Sequence, residues 1–257
     1  MSDRKTPRLN RARVQHHVVW IGAALAIVLM VGCATYYLNS VTIQKVEVSG
    51  AQHASVPMIM DLSGVAVGDT LFRLDADLIA SRVTMHPWIE KSDVTRWPTG
   101  VLSIEVQERR PVALTLSEAG RPAFYLDRSG ESLPVDTLSR YDVPLIRGVA
   151  HGSHPAVVQD STTLELLSVL ASLSPSVDGL LSDLVVRPDG EVEAVTVPVQ
   201  DGHCIRVRLG RGDFERKMKT LKAFWMQAVA GFPNKRIDWI DLRYRGQVVT
   251  KEESVIS

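Results

Sequence analysis

Three short clusters hold the side chains that could do chemistry in this chain, and none has the spacing of a known catalytic or metal site. His151 and His154 lie in a Gly/Ser/Pro-rich stretch without a nearby carboxylate, which disfavours a metal site. His203 and Cys204 are neighbours on a predicted strand, and such neighbours point to opposite faces. Residues 108–110 (Glu-Arg-Arg) are interpreted as a solvated junction.

The standard sequence motifs for phosphate and metal chemistry are also missing from the chain. There is no Gly-rich phosphate loop, no paired-Cys metal spacing and no His-Glu-x-x-His run. We therefore expect no catalytic residues, no bound cofactor, no metal and no small-molecule substrate.

An apolar run at residues 18–38 is the strongest feature of the chain. It holds about 21 residues without a charge, which is long enough to cross a bilayer core as one helix. Residues 1–17 form a basic leader, and after the run no Lys or Arg appears until Lys45. By the positive-inside rule the leader stays in the cytoplasm, and about 220 residues are exported.

Two other interpretations of this run remain open. A cleaved signal peptide is usually shorter and ends in small residues, whereas here Tyr36 and Tyr37 sit where an interfacial aromatic belt belongs. The sequence Met-Val-Gly-Cys at 30–33 resembles a lipoprotein signal, which would leave Cys33 lipidated. A lipoprotein normally turns polar after that cysteine, and this chain does not. An uncleaved anchor is the favoured interpretation.

The composition of the chain excludes some classes of function for the exported part. The 257 residues include 29 basic and 29 acidic side chains, and no basic stripe suggests nucleic-acid binding. The two cysteines, Cys33 and Cys204, lie far apart in different environments, so we expect no structural disulfide. Cys204 is predicted to be a half-buried strand residue.

Periodicity divides the exported part into two blocks, and the first has the order β-α-α-β-β. Its last strand alternates cleanly, with Leu102, Ile104 and Val106 on one face. Leu78, Ile79 and Val83 are predicted to share one side of the second helix. The predicted elements are a strand at 43–50, a helix capped by Ser55 to about residue 62, a helix capped by Asp75 to about residue 85, and strands from 88 and from 101.

The second block is predicted to be rich in strands, with two helices. The second of these helices is predicted to be capped by Asp213. Its closing strand, 246–251, is expected to be a sheet edge open to a partner strand. The predicted strands lie near 124–130, 143–148, 181–187, 191–197, 205–209, 237–244 and 246–251, and the helices at 162–173 and 213–230.

The order and spacing of several motifs resemble the FtsQ/DivIB family of bacterial cell division proteins. The first block resembles the POTRA domain of that family, and the second resembles its C-terminal β-domain. The motifs are Val46–Gly50, Gly68–Phe72, Pro87–Ile89, Arg96–Pro98, Glu108–Ala113, Tyr125–Asp127 with Gly130, Pro144–Gly148, Leu209-Gly210 with Lys217, and Ile240–Tyr244.

The resemblance implies an α+β architecture in which a single transmembrane helix precedes both domains. The β-domain is expected to be mixed and largely antiparallel, with two helices. The implied boundaries are a cytoplasmic leader at 1–17, the membrane helix at 18–38, a POTRA domain at 41–111, a β-domain at 112–251 and a short tail at 252–257.

The resemblance also implies a non-enzymatic scaffold of the inner membrane that concentrates at the division septum. FtsB-like and FtsL-like proteins would dock on the β-domain edge, so that the protein links early and late divisome components. The POTRA domain, with its sheet edge near 101–106 as a contact, would help recruit the protein to the septum. Alanine at Asp241 or Tyr244 should weaken partner capture and leave folding intact. The partner-binding residues carried over by resemblance are Asp241, Leu242, Arg243, Tyr244, Gly246, Gln247, Val248 and Val249.

Two rival classes stay open at this point. One is a POTRA-bearing envelope-assembly factor that handles outer-membrane clients, although a single POTRA copy and the lack of a barrel-like strand series disfavour it. The other is a lipid-anchored periplasmic enzyme, which the lipoprotein-like sequence ending at Cys33 keeps open.

Overall fold

The structure is a computed structural model of the chain. It describes residues 11–117, 119–135, 141–149, 157–173, 179–199, 202–229 and 236–253. The chain divides into two compact units, Met1–Glu108 and Arg109–Ser257. Each unit is built around its own sheet. The cluster of His151 and His154 lies outside the described residues.

The first element is one long helix, α1, at Arg11–Ser40. Its segment Trp20–Ser40 is 21 residues long with a mean hydropathy of 2.0, and none of that segment is buried in the protein. By length and composition the segment can cross a membrane as a single helix. The helix continues through Cys33 for a further seven residues without a break.

The remainder of the first unit has the predicted β-α-α-β-β order. It comprises β1 (Lys45–Ser49), α2 (Val56–Ser63), a 3₁₀ turn (Leu71–Arg73), α3 (Ala76–Val83), β2 (Ile89–Trp97) and β3 (Val101–Glu108). Both helices begin at the predicted caps, because Ser55 accepts a hydrogen bond from the Met58 amide and Asp75 accepts from the amides of α3. The predicted core face of β3 (Leu102, Ile104 and Val106) is buried.

Two expectations for this unit are wrong. Leu78 is 47% exposed, so it does not share the buried side of α3 with Ile79 and Val83. Residues 101–106 are not a sheet edge, because β3 lies in the middle of the sheet order β1-β3-β2. It pairs in parallel with β1 and antiparallel with β2. The edges of this sheet are therefore β1 and β2.

The described residues of the second unit form a nine-stranded mixed sheet and two α-helices. Five of the eight pairings between its strands are antiparallel, as the sequence led us to expect. The elements are β4 (Pro111–Leu116), β5 (Pro122–Asp127), β6 (Ser132–Pro134), β7 (Leu145–Arg147), α4 (Ser161–Ser172), β8 (Leu181–Val186), β9 (Val192–Thr196), β10 (Arg206–Gly210), α5 (Phe214–Phe224), β11 (Arg236–Asp241) and β12 (Val249–Glu253).

The strand order of this sheet is β12-β11-β10-β9-β8-β7-β4-β5-β6. Apolar side chains of α4 and α5, such as Leu166, Leu167, Phe214 and Leu221, join those of the strands in one buried cluster. This burial of apolar surface is the main favourable term for folding of the unit. The order leaves β12 and β6 at the two ends of the sheet.

Details around α5 differ from the prediction. Asp213 precedes the helix, but it adopts a left-handed conformation (φ +56°) and makes no side-chain cap. Its carboxylate instead accepts a hydrogen bond from Arg216 Nε at 2.6 Å. The α-helix ends at Phe224 and continues as a π-helical segment, Trp225–Val229. Cys204 is exposed and lies before β10, so it is not the predicted half-buried strand residue.

Candidate functional site: the C-terminal sheet edge

The predicted binding residues lie on β11, on β12 and on the connection between them. β12 runs antiparallel to β11 and is the terminal strand of the nine-stranded sheet. No other described strand pairs with its outer side. A terminal strand of this kind presents unpaired backbone donors and acceptors, which a further strand can use.

The connection between β11 and β12 is organised by one buried carboxylate. Asp241 is 2% exposed, and it accepts hydrogen bonds from the backbone amide of Arg243 at 3.0 Å and from its guanidinium at 2.7 to 3.1 Å. The guanidinium binds both carboxylate oxygens, a paired geometry that fixes its direction. Asp241 therefore positions Arg243 at the surface.

The electrostatics of this pair follow from its geometry. Burial of Asp241 disfavours the charged form, but the hydrogen bonds from Arg243 and the positive charges of Arg243 and Arg208 outweigh that effect and lower the pKa of the carboxyl. The same hydrogen bonds raise the pKa of Arg243 above its ordinary value. The pair is thus charged at neutral pH, and its guanidinium side is 39% exposed.

Neighbouring residues hold the turn against β10. The Leu242 amide donates to the Arg208 carbonyl at 2.9 Å, which extends the pairing of β11 with β10 by one residue. A Cβ atom on Gly210 would lie 2.7 Å from Cγ of Arg243, so the glycine makes room for the arginine stem. Gly210 also has a positive φ of +70°. The sequence around Gly210 does not indicate that this glycine packs against the side chain of Arg243.

The eight predicted residues fall into two groups by exposure. Asp241 and Leu242 are buried, and Leu242 belongs to the core cluster. Val248 is half-buried against the same cluster. The exposed members are Arg243, Tyr244, Gly246, Gln247 and Val249, with Tyr244 54% exposed and Val249 37% exposed. Five of the eight predicted residues are thus exposed at the surface.

Sequence reasoning missed a pair of residues beside this edge. The Arg208 guanidinium lies 5.2 Å from the ring centroid of Trp239, a cation–π distance. Because β10 and β11 run in parallel, their register places Arg208 opposite Asp241. The alternation of polar and apolar residues in 205–209 predicts that Arg208 is exposed, but only the pairing of the strands shows which residues it meets.

The cluster of His203 and Cys204 lies close to this sheet edge in sequence and in space. His203 and Cys204 lie just before β10 and line one open pocket with Arg206, Asp238 and Trp239. The prediction that they are neighbours on a strand is therefore wrong. An imidazole nitrogen of His203 lies 3.0 Å from the Ile237 carbonyl. Among the described residues, no group of three or more metal-binding side chains comes together.

Comparisons with known proteins agree with the two units. Residues 41–109 match the family described as the POTRA domain, FtsQ-type, and residues 110–251 match the family described as FtsQ/DivIB, C-terminal related. A cell division protein FtsQ from Rhodothermus marinus is 39% identical over 98% of this chain and 93% of its own. Another FtsQ, from Salinibacter ruber, is 39% identical over 82% of this chain and 83% of its own.

One solved structure is also similar. It is the major extracytoplasmic domain of the trans isomer of the cell division protein DivIB from Geobacillus stearothermophilus, with 20% identity and a TM-score of 0.33. The match covers 48% of this chain and 97% of that chain. Likeness at this level is too low to support an argument about the fold.

The apolar helix, the POTRA domain and the mixed β-domain together define a class, that of bacterial cell division proteins with one helix able to cross a membrane. Within that class the identity to the curated relatives is high enough to decide the family. The chain belongs to the FtsQ/DivIB family of cell division proteins.

Proposed function

We propose that this protein is a non-enzymatic scaffold of the division machinery that binds partner proteins through the outer edge of β12 and the exposed turn before it. The observation that carries the proposal is the terminal position of β12 in its sheet, with no described strand on its outer side. A partner segment added there gains backbone hydrogen bonds, and neighbouring side chains select its sequence.

The side chains of the turn supply the specificity in this proposal. Tyr244 is exposed, and Arg243 is held in one direction by Asp241, so little side-chain entropy is lost when a partner binds. Tyr and Arg are also the residue types that most often dominate binding energy at interfaces. By family resemblance, the partners are small coiled-coil division proteins similar to FtsB and FtsL.

The proposal includes a location. The leader carries five basic residues against one acid, which supports a cytoplasmic N-terminus and a periplasmic location for both folded units. The apolar segment Trp20–Ser40 has the length of a full membrane span, which supports an anchor that is retained. The POTRA domain helps recruit the protein to the septum, through β1 or β2, since these are the edges of its sheet.

The test is a binding measurement with the full-length protein in detergent and the FtsB-like and FtsL-like proteins of the same host. Tyr244→Ala is expected to weaken binding by about tenfold or more, which is a loss of at least about 1.4 kcal/mol. The matched control is Val157→Ala. Val157 is 42% exposed and bridges Glu131, next to β6 at the opposite end of the sheet.

Both variants should unfold at the same urea concentration as the wild type, because both side chains are exposed. Equal binding by Tyr244→Ala and the wild type would rule out the turn as the contact surface. A loss of binding by Val157→Ala alone would move the interface to the β6 end of the sheet. In cells, a fusion to the N-terminus should form a band at the division site.

A further inference from the structure

The connection between α1 and the first folded unit contains no free linker. The Val41 carbonyl, one residue beyond the helix, accepts a hydrogen bond from the Leu71 amide at 2.9 Å. Ile43 donates to Asp69 and accepts from Gly68, both at 2.9 Å. Ile43 and Leu71 are 1% and 0% exposed. The chain therefore enters the POTRA core immediately after the helix ends.

A second loop is held at the same end of the domain. The Gly100 carbonyl accepts from the Gln44 amide at 2.8 Å and from the Lys45 amide at 3.4 Å. Gly100 has a φ of +86°, and a Cβ atom there would lie 2.9 Å from the Thr42 carbonyl oxygen. Since Gln44 is four residues beyond Ser40, it lies within about 14 Å of the end of α1, and the loop is hydrogen-bonded to it.

The strand directions place these two loops together. β1 and β3 are parallel and start in register at Lys45 and Val101, while β2 runs the opposite way and ends at Trp97. The 3₁₀ turn Leu71–Arg73 and the turn at 97–100 therefore both lie at the end of the domain that is joined to α1. We name these two turns the helix-proximal rim.

The exposed side chains of the rim are those favoured at a membrane interface. Trp97 is 53% exposed, and Arg73 is exposed. The Arg96 guanidinium lies 6.0 Å from the ring centroid of Phe72 and donates to the Leu74 carbonyl at 2.7 Å. Tryptophan is enriched at the level of lipid headgroups, and arginine binds phosphate there. At the end of α1, Tyr36 and Tyr37 are also exposed.

The acids near the rim do not neutralise its arginines. Asp69 accepts a hydrogen bond from the Ala66 amide at 2.9 Å, and Asp75 accepts from the first turn of α3 at 3.0 and 3.2 Å. Among the described residues, no ion pair involves Arg73 or Arg96. The exposed Arg73 guanidinium is therefore available to a ligand outside the protein.

We propose that the helix-proximal rim is a lipid-binding surface that contacts the leaflet from which α1 emerges. Trp97 enters the headgroup region, and Arg73 binds lipid phosphate. The contact fixes the height and tilt of the POTRA domain above the membrane, which a single helix alone does not do. The proposal depends on α1 crossing a membrane and is independent of partner binding at β12.

The test uses the full-length protein in vesicles of phosphatidylcholine and phosphatidylglycerol, with one spin label per protein. One variant, Cys204→Ser, keeps the native Cys33 and reports whether α1 is inserted. Two further variants carry Thr99→Cys or Gln107→Cys in a Cys33→Ser/Cys204→Ser background. Gln107 is exposed near the other end of β3, about 20 Å along the strand from the turn.

The measurement compares the collision rates of each label with oxygen, which enters lipid, and with a water-soluble nickel reagent. We expect a several-fold higher oxygen-to-nickel ratio at residue 99 than at residue 107, and Trp97→Ser should shift residue 99 towards the aqueous value. Equal ratios at 99 and 107, with Cys33 in lipid, would overturn the proposal. If the lipid-binding proposal fails, the proposal of partner binding at β12 still stands, because the two proposals are tested by different assays.

Discussion

At the residue scale, the carboxylate of Glu108 holds the loop at residues 52–54 in place through hydrogen bonds. It accepts hydrogen bonds from three consecutive amides, those of Gln52, His53 and Ala54, at 2.8 to 2.9 Å, and from the His53 ring at 2.8 Å. That ring stacks on Trp88, with a centroid distance of 4.9 Å. The junction interpreted from sequence as simply solvated thus contains a structural carboxylate.

Replacing this carboxylate should destabilise the first unit. Glu108→Gln removes the negative charge and replaces Oε2, which accepts from the His53 amide at 3.1 Å and from the His53 ring at 2.8 Å, by an amide nitrogen or leaves the three amides without their shared Oε1. We expect a loss of about 1–3 kcal/mol in the free energy of unfolding. Urea denaturation followed by circular dichroism measures the loss. Glu105→Gln, an exposed change on the same strand, is the control and should be neutral. Equal stability of the two variants would contradict the structural role.

The effect of Glu108 should also depend on pH. Burial opposes ionisation, but the hydrogen bonds from Ala54 and His53 outweigh it and lower the pKa of Glu108 in the folded protein. A lowered folded pKa gives stability that is present above the unfolded value of about 4.3 and is lost as the pH falls through the folded pKa. The difference between wild type and Glu108→Gln should therefore shrink below about pH 4. A constant difference down to pH 2 would contradict this linkage.

Asp241 is the buried carboxylate of the second unit, so we now expect that a substitution there would also reduce the stability of the fold. Asp241→Asn should lower the free energy of unfolding by about 1–3 kcal/mol, because the amide replaces a charged acceptor of Arg243. Asp142→Asn, an exposed change in the same unit, should be neutral. If Asp241→Asn is as stable as Asp142→Asn, the carboxylate does not organise the turn.

At the element scale, the sequence predicts what is local and misses what depends on pairing. Ser55 and Asp75 were found as helix caps because a cap bonds amides two or three residues away. The central position of β3 was missed because its parallel partner β1 lies some fifty residues earlier, and alternation within a strand does not name its neighbours. The contact of Gly210 with Arg243 was missed for the same reason, because it also depends on which strands are neighbours.

The pairing of β7 with β8 can be tested at a glycine. Gly148 has a φ of +80°, and a Cβ atom there would run into the carbonyl oxygen of Val186 on β8. Gly148→Ala should cost about 3 kcal/mol or more, from both the left-handed conformation and the clash. Gly202 has a φ of +83° with nothing within 4 Å, so Gly202→Ala isolates the conformational cost of about 1 kcal/mol. Equal costs would argue against close approach of β7 and β8.

At the scale of the whole molecule, the charge asymmetry about α1 should decide the orientation. Arg4, Lys5, Arg8, Arg11 and Arg13 precede the apolar segment, and the next basic residue is Lys45. Protease added to spheroplasts should therefore digest the folded units and leave a tag on the N-terminus protected.

Changing all five basic residues to glutamine removes the charge bias, and the tag should become partly digestible. A chain with Lys45→Gln in place of those changes is the control and should keep the wild-type pattern. Digestion of the wild-type tag in spheroplasts would reverse the orientation and place the β12 edge and the helix-proximal rim on the cytoplasmic side.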